Sequence, residues 1–394
     1  MKPLEGITIL DLTRVLAAPY ATMILAELGA KVIKVEQPGS GDEIRTYEPI
    51  YQGRSAYYFS ANRSKESITL NLRNPKAQEI VRSLAAKADV VVENFTVGTL
   101  ARYGLDYAAL KDVNPQLVYV SVTGFGQSGP YAKRKGYDTV FQAMTGMVSL
   151  TGEQGGEPCK AGLPVADLSS GLWAAIAILS GIVGRRASGQ GAYIDFSMFD
   201  GQVSLLTIAA ARYFALGEVP TRMGTEHLGR VPSAAFECQN GKWVQLTCND
   251  QHWKPLCKLL ALEEWGADPR IADNSGRLTH RDEVMARLRS EILRWDREAL
   301  VDACVVAGVP GGPVLDVGEV IADRHVAARG IVAEFDHPEV GKFRGLGLPF
   351  KFDGFDPVGF DRPPLLGEHT ETVLGEMLGL DAAALAQLRE EGAI

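Results

Sequence analysis

The chain has 394 residues, 46% of them apolar and 22% charged, which places it among globular proteins and away from the disordered class. That length is more than one core usually serves, so two domains are expected. A formal charge of −8 excludes nucleic acid as a general partner, because phosphate binding needs a basic face; a small anionic ligand at a local basic cluster stays possible.

The first half predicts alternating strands and helices. Ile7–Thr13 is β-rich, and Pro19 opens an apolar helix that stops at Gly29. Lys31–Glu36 and Ile68–Leu72 come next as strands, and Pro75 starts a helix carrying Ile80, Val81 and Leu84. Asp89–Glu93 and Leu117–Val122 are continuous apolar runs, as in strands covered on both faces. Tyr193–Phe199 closes the series. Strands spaced by helices imply βαβ units and a parallel, Rossmann-like sheet, hence an α/β protein.

After about residue 215 the pattern changes. Gly217–Pro220 and Gly224–Pro232 read as linker. Phe236–Cys238, Asn240-Gly241 and Trp243–Thr247 read as a hairpin with a type I′ turn. Helices are expected over Gln251–Leu262, Arg281–Leu293 and Arg297–Val306, giving a small α+β domain. The last stretch has short β segments at Ile331–Phe335 and Phe350–Phe352, a helix near Thr370–Leu378, and a final helix capped by Asp381. The expected organisation is a large domain over 1–215, an inserted small domain over 216–325, and a segment over 326–394 that returns to the large domain.

Cys159, Cys238, Cys248, Cys257 and Cys304 form no CxxC pair and no zinc spacing, so all five read as buried thiols in a reducing compartment. The N-terminus lacks an apolar signal core. The longest apolar stretch, Leu168 to Gly184, falls short of the ~20 residues of a membrane span and reads as a buried helix. The expected location is the cytoplasm of a bacterium or an organelle matrix, with no membrane partner.

Gly124 to Gly129 fits GxGxxG after a strand, but Pro130 and a basic loop come next and no acidic residue ends a second strand, so a nicotinamide site is not supported. The turn reads as a close backbone approach. There is no Walker lysine, HExxH or GxSxG, and the six histidines do not sit at metal-ligand spacing; no metal is expected. Basic residues cluster after strand ends: Lys133, Arg134 and Lys135; Arg63 and Lys65; Arg73; Arg102. Charge placed there suits a phosphorylated ligand. Asp167 lies inside an apolar run, where a carboxylate is costly unless it caps a helix or does chemistry. Spacing alone leaves both readings open.

At these residues the sequence resembles the class III CoA-transferases (CaiB/BaiF), the family of formyl-CoA transferase and carnitine CoA-transferase. The likeness runs along essentially the whole chain. It is carried by Leu4-Glu5-Gly6, Arg14 to Pro19, Leu28 to Glu36, Gly39 to Asp42, Asn62 to Lys65, Val92 to Phe95, Gly136-Tyr137-Asp138, the Asp167 segment, and Pro364 to Thr370. The resemblance implies that Asp167 is the catalytic aspartate, forming an aspartyl-CoA thioester. It implies a coenzyme A or acyl-CoA site at Val15, Leu16 and Ala17; at Leu70, Asn71, Leu72 and Arg73; at Asn94, Phe95 and Thr96; and at Arg102, Lys135, Tyr137 and Asp138. It also implies an interlocked homodimer of ring-shaped chains.

Departures from the family pattern matter too. No glycine run like the shielding loop of formyl-CoA transferases is present, and Gly224–Pro232 is the candidate replacement. Gln37-Pro38 stands where those enzymes carry a basic residue that contacts adenine. Racemases of the same fold have a histidine where this chain has Tyr137, which favours transfer over racemisation. The alternatives are an acyl-CoA racemase or an inactive CoA-binding protein. Among the transferases, the likeness is to succinyl-CoA-dependent enzymes acting on dicarboxylates, carried by Arg14 to Ala17, Arg222 to His227, and Val231-Pro232. A second carboxylate would want a guanidinium, so Arg14, Arg45 and Arg222, with His227, are substrate candidates.

Overall fold

The computed structural model describes residues 2–354 and 360–394. The expected segment Phe350–Phe352 lies among them, whereas 355–359 lie outside the described residues. Met1–Met147, Lys160–Ala211 and Arg324–Ile394 make one compact unit; Val148–Cys159 and Arg212–Asp323 make a second. Sequence reasoning placed 148–159 in the first group. Its hydrogen bonds explain the difference: Gly224 N donates to Gly152 O at 2.9 Å, and Arg222 Nε donates to Gly156 O at 3.1 Å.

The first unit is built in chain order from β1 (Thr8–Asp11), α1 (Ala17–Glu27), β2 (Lys31–Glu36), β3 (Glu66–Thr69), α2 (Pro75–Ala85), β4 (Val90–Glu93), β5 (Val118–Thr123), α3 (Asp138–Met144), α4 (Val165–Ser188) and β6 (Ala192–Ser197). The six strands form one parallel sheet in the order β3-β2-β1-β4-β5-β6, the order of doubly wound folds. Val90, Val91, Val92, Val118 and Val120 are fully buried, which is why these strands read as unbroken apolar runs. α2 starts at Pro75 as expected, with Asn74 accepting from Lys76 N at its N-cap.

α4 is 24 residues long, more than the apolar stretch suggested, and by length and composition it could cross a membrane. In this fold one side of it is core: Ala174, Ile178 and Ile182 are buried with Ile24 and Leu25 of α1. Gly171 permits the approach, because a Cβ there would lie 2.7 Å from the Ala17 carbonyl oxygen. The start of α4 is thereby drawn against the start of α1. The other side of α4 exposes Leu172, Ile176 and Val183.

In the second unit, β7 (Ser233–Glu237) and β8 (Trp243–Thr247) pair antiparallel, succeeded by α5 (Asp250–Leu259), α6 (Arg281–Ile292), α7 (Arg297–Ala307) and β9 (Gly311–Pro313). The hairpin turn differs from the type I′ expectation. Only Gly241 takes a positive φ, of +71°, and Gly241 N donates to Cys238 O, so a longer turn ends in a left-handed glycine. The stretch Gly224–Pro232 is no free linker: Glu226 is ion-paired with both Arg281 and Arg289 of α6. Cys238, Cys248, Cys257 and Cys304 are buried thiols, but Cys159 is exposed, contrary to expectation, because its segment runs along the surface.

The remaining chain belongs to the first unit. It contains the hairpin β10 (Val332–His337) and β11 (Gly341–Leu346), then α8 (Thr370–Leu378) and α9 (Ala382–Glu390). Val373, Leu374 and Leu385 join the core under α2, and Asp381 caps α9 through Ala384 N.

Candidate functional site

The strand order reverses between β1 and β4, and ligands of doubly wound sheets bind outside the carboxyl ends of strands at such a point. Two loops leave the sheet there, Leu12–Leu16 after β1 and Asn94–Val97 after β4. Asn94 ties them together: its Oδ1 accepts from Arg14 N at 2.9 Å and its Nδ2 donates to Arg14 O at 2.7 Å. Arg14 carries its guanidinium 4.5 Å above the Phe95 ring, and among the described residues no carboxylate pairs with it. Leu16 precedes α1 without a side-chain cap; Pro19 has no N–H and Ala18 is fully buried, so Leu16 and Ala17 are the residues of this turn that carry an N–H at the cavity wall.

Asp167 lies in the first turn of α4 but does not cap it. The N-cap is Pro164, which has no capping side chain. Asp138, at the start of α3, caps the helix from outside: its Oδ1 accepts from Ala166 N at 2.8 Å and from Asp167 N at 3.3 Å, while its Oδ2 accepts from Gln142 Nε2 at 2.6 Å. The Asp167 carboxylate itself has no hydrogen-bond or ion-pair partner among the described residues. Burial, and then the nearby Asp138 carboxylate, push its pKa from the ordinary 3.8 up to about 7. Of the two readings left open, the cap belongs to another residue.

Asp167 lines a cavity of 330 Å³ together with Arg14, Val15, Leu16, Ala17, Asn94, Phe95, Thr96, Lys135 and Tyr137. A second cavity, of 730 Å³, shares Arg14 and Phe95 with it and is lined also by Leu70, Leu72, Arg73 and Arg102. The two cavities share wall residues, with basic side chains at Arg73 and Arg102 on the larger and a half-buried carboxyl on the smaller, an arrangement that suits a long ligand with an anionic end. Residues 4–370 match the family model described as CoA-transferase family III. This chain belongs to that family.

It is 39% identical to human succinyl-CoA:glutarate CoA-transferase over all of this chain and 90% of that protein. It is 38% identical to succinate–glutarate CoA-transferase of Agrobacterium fabrum over 97% of both. A crystal structure of a CaiB/BaiF family protein from Brucella suis superposes with a TM-score of 0.85 at 40% identity, covering 95% of this chain and 99% of that one. The chain is accordingly an enzyme of the CoA-transferase class.

The remaining candidates have hydrogen-bond partners of their own. Asn71 donates its side chain to Gly392 O and its backbone N–H to Ala393 O, so it fastens the C-terminus. Asp138 works behind Asp167 rather than on the cavity wall. Arg45 is held by both carboxylate oxygens of Glu36, at 2.7 Å each, and by Tyr58. Arg222 and His227, with the whole of Gly224–Pro232, belong to the second unit; Arg222 donates to Gly156 O and Ser149 O, and His227 Nδ1 accepts from Gly229 N.

Three residues escaped sequence reasoning. Glu43 lines both cavities, and Thr123 ends β5 on the wall of the first with its buried Oγ1 unpartnered. Tyr57 lies close enough to feel the site: burial first, then Asp167 and Asp138, raise its phenol. Nothing local in the sequence marks them, since none belongs to a charge cluster or to a run of fixed spacing.

Proposed function

We propose that this transferase moves coenzyme A from succinyl-CoA to a dicarboxylic acid through an aspartyl-CoA thioester on Asp167. The observation that carries the reading is a carboxylate with no partner among the described residues, half-buried on the wall of the cavity at the sheet's switch point. A group so placed gains nothing for the fold and is available as a nucleophile. The donor and acceptor classes come from the relatives, whose names specify succinyl-CoA and glutarate.

The steps balance without a further reactant. An Asp167 oxygen attacks the thioester carbonyl, the C–S bond breaks, and CoA leaves as thiolate. The thiolate attacks the aspartyl carbonyl of the mixed anhydride and releases succinate. The acceptor carboxylate then attacks the aspartyl thioester, expelling the thiolate again, and the thiolate takes the acceptor's acyl group from the new anhydride. Asp167 is left as carboxylate. Negative charge on each carbonyl oxygen calls for preset N–H donors, a role that suits the backbone of Leu16 and Ala17 at the cavity wall. Arg14, unpaired among the described residues and on the walls of both cavities, is suited to the acceptor's second carboxylate. The CoA body is read as lying over Leu70, Leu72, Arg73 and Arg102, with Lys135 and Tyr137 near the thioester. No histidine lines the Asp167 cavity among the described residues, which leaves racemisation without its second acid–base group.

We also read the two compact units as a large CoA-binding domain and a small domain, assembled as an interlocked homodimer. Support comes from apolar surface that one chain leaves bare: Ile176 and Val183 on α4, and Ile208 and Phe214 at 83% and 82% exposure on the helix Thr207–Leu216. The test of the chemistry is direct. Protein mixed with succinyl-CoA and no acceptor should carry a CoA mass on the peptide holding Asp167, and Asp167→Ala should lack both adduct and transfer. An adduct on another peptide, or transfer by Asp167→Ala above about one percent of the unmodified rate, refutes the assignment.

A further inference from the structure

We infer that the buried Lys34–Asp42 ion pair is a positioning pair for transfer: it holds Val15 in the left-handed backbone region and so presets the Arg14–Ala17 loop on the cavity wall it shares with Asp167. The inference rests on the proposed transfer chemistry and assigns residues that do not touch the reacting groups themselves.

Val15 has φ = +68°, a conformation that a β-branched residue adopts only when its surroundings impose it. The surroundings here are unusually complete. Asp11 accepts from the N–H and the hydroxyl of Thr13, and Lys34 Nζ donates to Thr13 O at 2.8 Å. Asn94 takes both backbone groups of Arg14. Val15 N donates to the two carboxylate oxygens of Asp42, at 3.1 and 3.3 Å. Every hydrogen-bonding backbone group from Thr13 to the strained N–H is thus taken by a side chain. Lys65 fastens the far end, donating to Pro19 O at 2.9 Å and to Asp11 at 3.0 Å.

The two charges at the centre are costly. Lys34 and Asp42 lie 2.9 Å apart with side chains at 0% exposure. A buried ion pair of this kind contributes little to stability that an apolar pair would not, because desolvation offsets the attraction. Fold stability alone therefore does not account for the pair. Its geometry accounts for it better: Asp42 is the acceptor that the displaced Val15 N–H needs, and Lys34 balances the Asp42 charge while gripping the residue two before. Strain maintained on a site wall by buried charges is expected of a loop whose shape the reaction requires.

Glycine enters the left-handed region without steric cost. If Asp42 acts by holding Val15 there, its removal should matter less once Val15 is replaced by glycine. The readout is the single-turnover rate of CoA-adduct formation on Asp167 from succinyl-CoA, with the KM for succinyl-CoA beside it. Asp42→Ala, which leaves the Val15 N–H without its acceptor, should slow that rate by about tenfold, the population change matching the steric penalty of the left-handed region, with KM nearly unchanged. The same substitution made in Val15→Gly protein should slow it by less than about threefold, since glycine bears no such penalty. Equal losses in the two backgrounds, or a loss confined to KM or to melting temperature, overturn the inference. Should Asp42→Ala not fold, Lys34→Met removes the other half of the pair and its bond to Thr13 O, and is scored by the same difference between backgrounds. Absence of any adduct on the unmodified protein would instead sink the proposed function, and this inference with it.

Discussion

Replacing Asp167 by asparagine should stabilise the protein, and more so at high pH. The carboxyl is pushed from 3.8 to about 7 by burial and by Asp138, so the folded state holds its proton more tightly than the unfolded state does. Stability owed to that proton is present in full below pH 3.8, declines as pH rises between 3.8 and 7, and is gone above 7. A shift of about three units is worth about 4 kcal/mol at pH 8, and about 2 kcal/mol at pH 5, where only part of the window has been crossed. The site is a partly open cavity, and solvent screening reduces these figures to roughly 2 and 1 kcal/mol. Asparagine carries no charge at either pH and so avoids the penalty. Thermal unfolding followed by circular dichroism should therefore show Asp167→Asn melting about 2 °C above the unmodified protein at pH 8, with about half that gain at pH 5. A capping role for Asp167 would give no gain that grows with pH, because asparagine caps a helix about as well as aspartate. A lower melting temperature at pH 8, or a gain that does not change with pH, would refute the argument.

Adduct formation needs the ionised nucleophile, so its single-turnover rate should climb with pH through about 7 and level off above, falling tenfold per unit on the acid side; a flat profile from pH 5 to 8 counts against Asp167. Asp138→Asn keeps an oxygen for the Ala166 and Asp167 N–H groups but removes a charge that raises the Asp167 pKa, so this acid limb should move to lower pH while the fold persists. An unmoved limb would mean the two carboxyls do not communicate. Arg14→Ala should raise the KM for a dicarboxylate acceptor by about tenfold or more and leave that for a monocarboxylate nearly unchanged, as expected for loss of one guanidinium–carboxylate pair; equal changes for both acceptors would move the second carboxylate elsewhere.

Much of the fold was legible because local rules and tertiary structure agree. Lys31–Glu36 is predicted and observed with the same bounds, and Pro75 starts its helix at N1 with Asn74 capping it. Valine runs at β4 and β5 mark strands buried on both faces. Errors arose where a short pattern fits two geometries. Asn240-Gly241 suggests a two-residue turn, but only the glycine adopts positive φ. Gly224–Pro232 has a linker's composition, yet Glu226 anchors it through two arginines more than fifty residues away. Val148–Cys159 groups with the second unit through hydrogen bonds to residues about 70 positions on, a relation no local window contains.

The site divides along the same line. Asp167 stood out as an acid in an apolar run, but that it is unpartnered depends on Asp138, twenty-nine positions earlier, having taken over the helix cap. Arg14, Arg45 and Arg222 are equivalent in composition; the fold alone separates a guanidinium stacked over Phe95 on a cavity wall from one held by Glu36 and from one spent on backbone carbonyls. The strain at Val15 has no signature in the chain, since valine in a loop predicts nothing. What these features have in common is that each makes the folded state less stable than it could be: a carboxylate without a partner, a β-branched residue at positive φ, charges buried in pairs. Propensity and pattern report what favours folding. They are silent where stability has been given up, and in this protein two such places, the strained Val15 and the unpartnered carboxyl of Asp167, lie on the wall of one cavity.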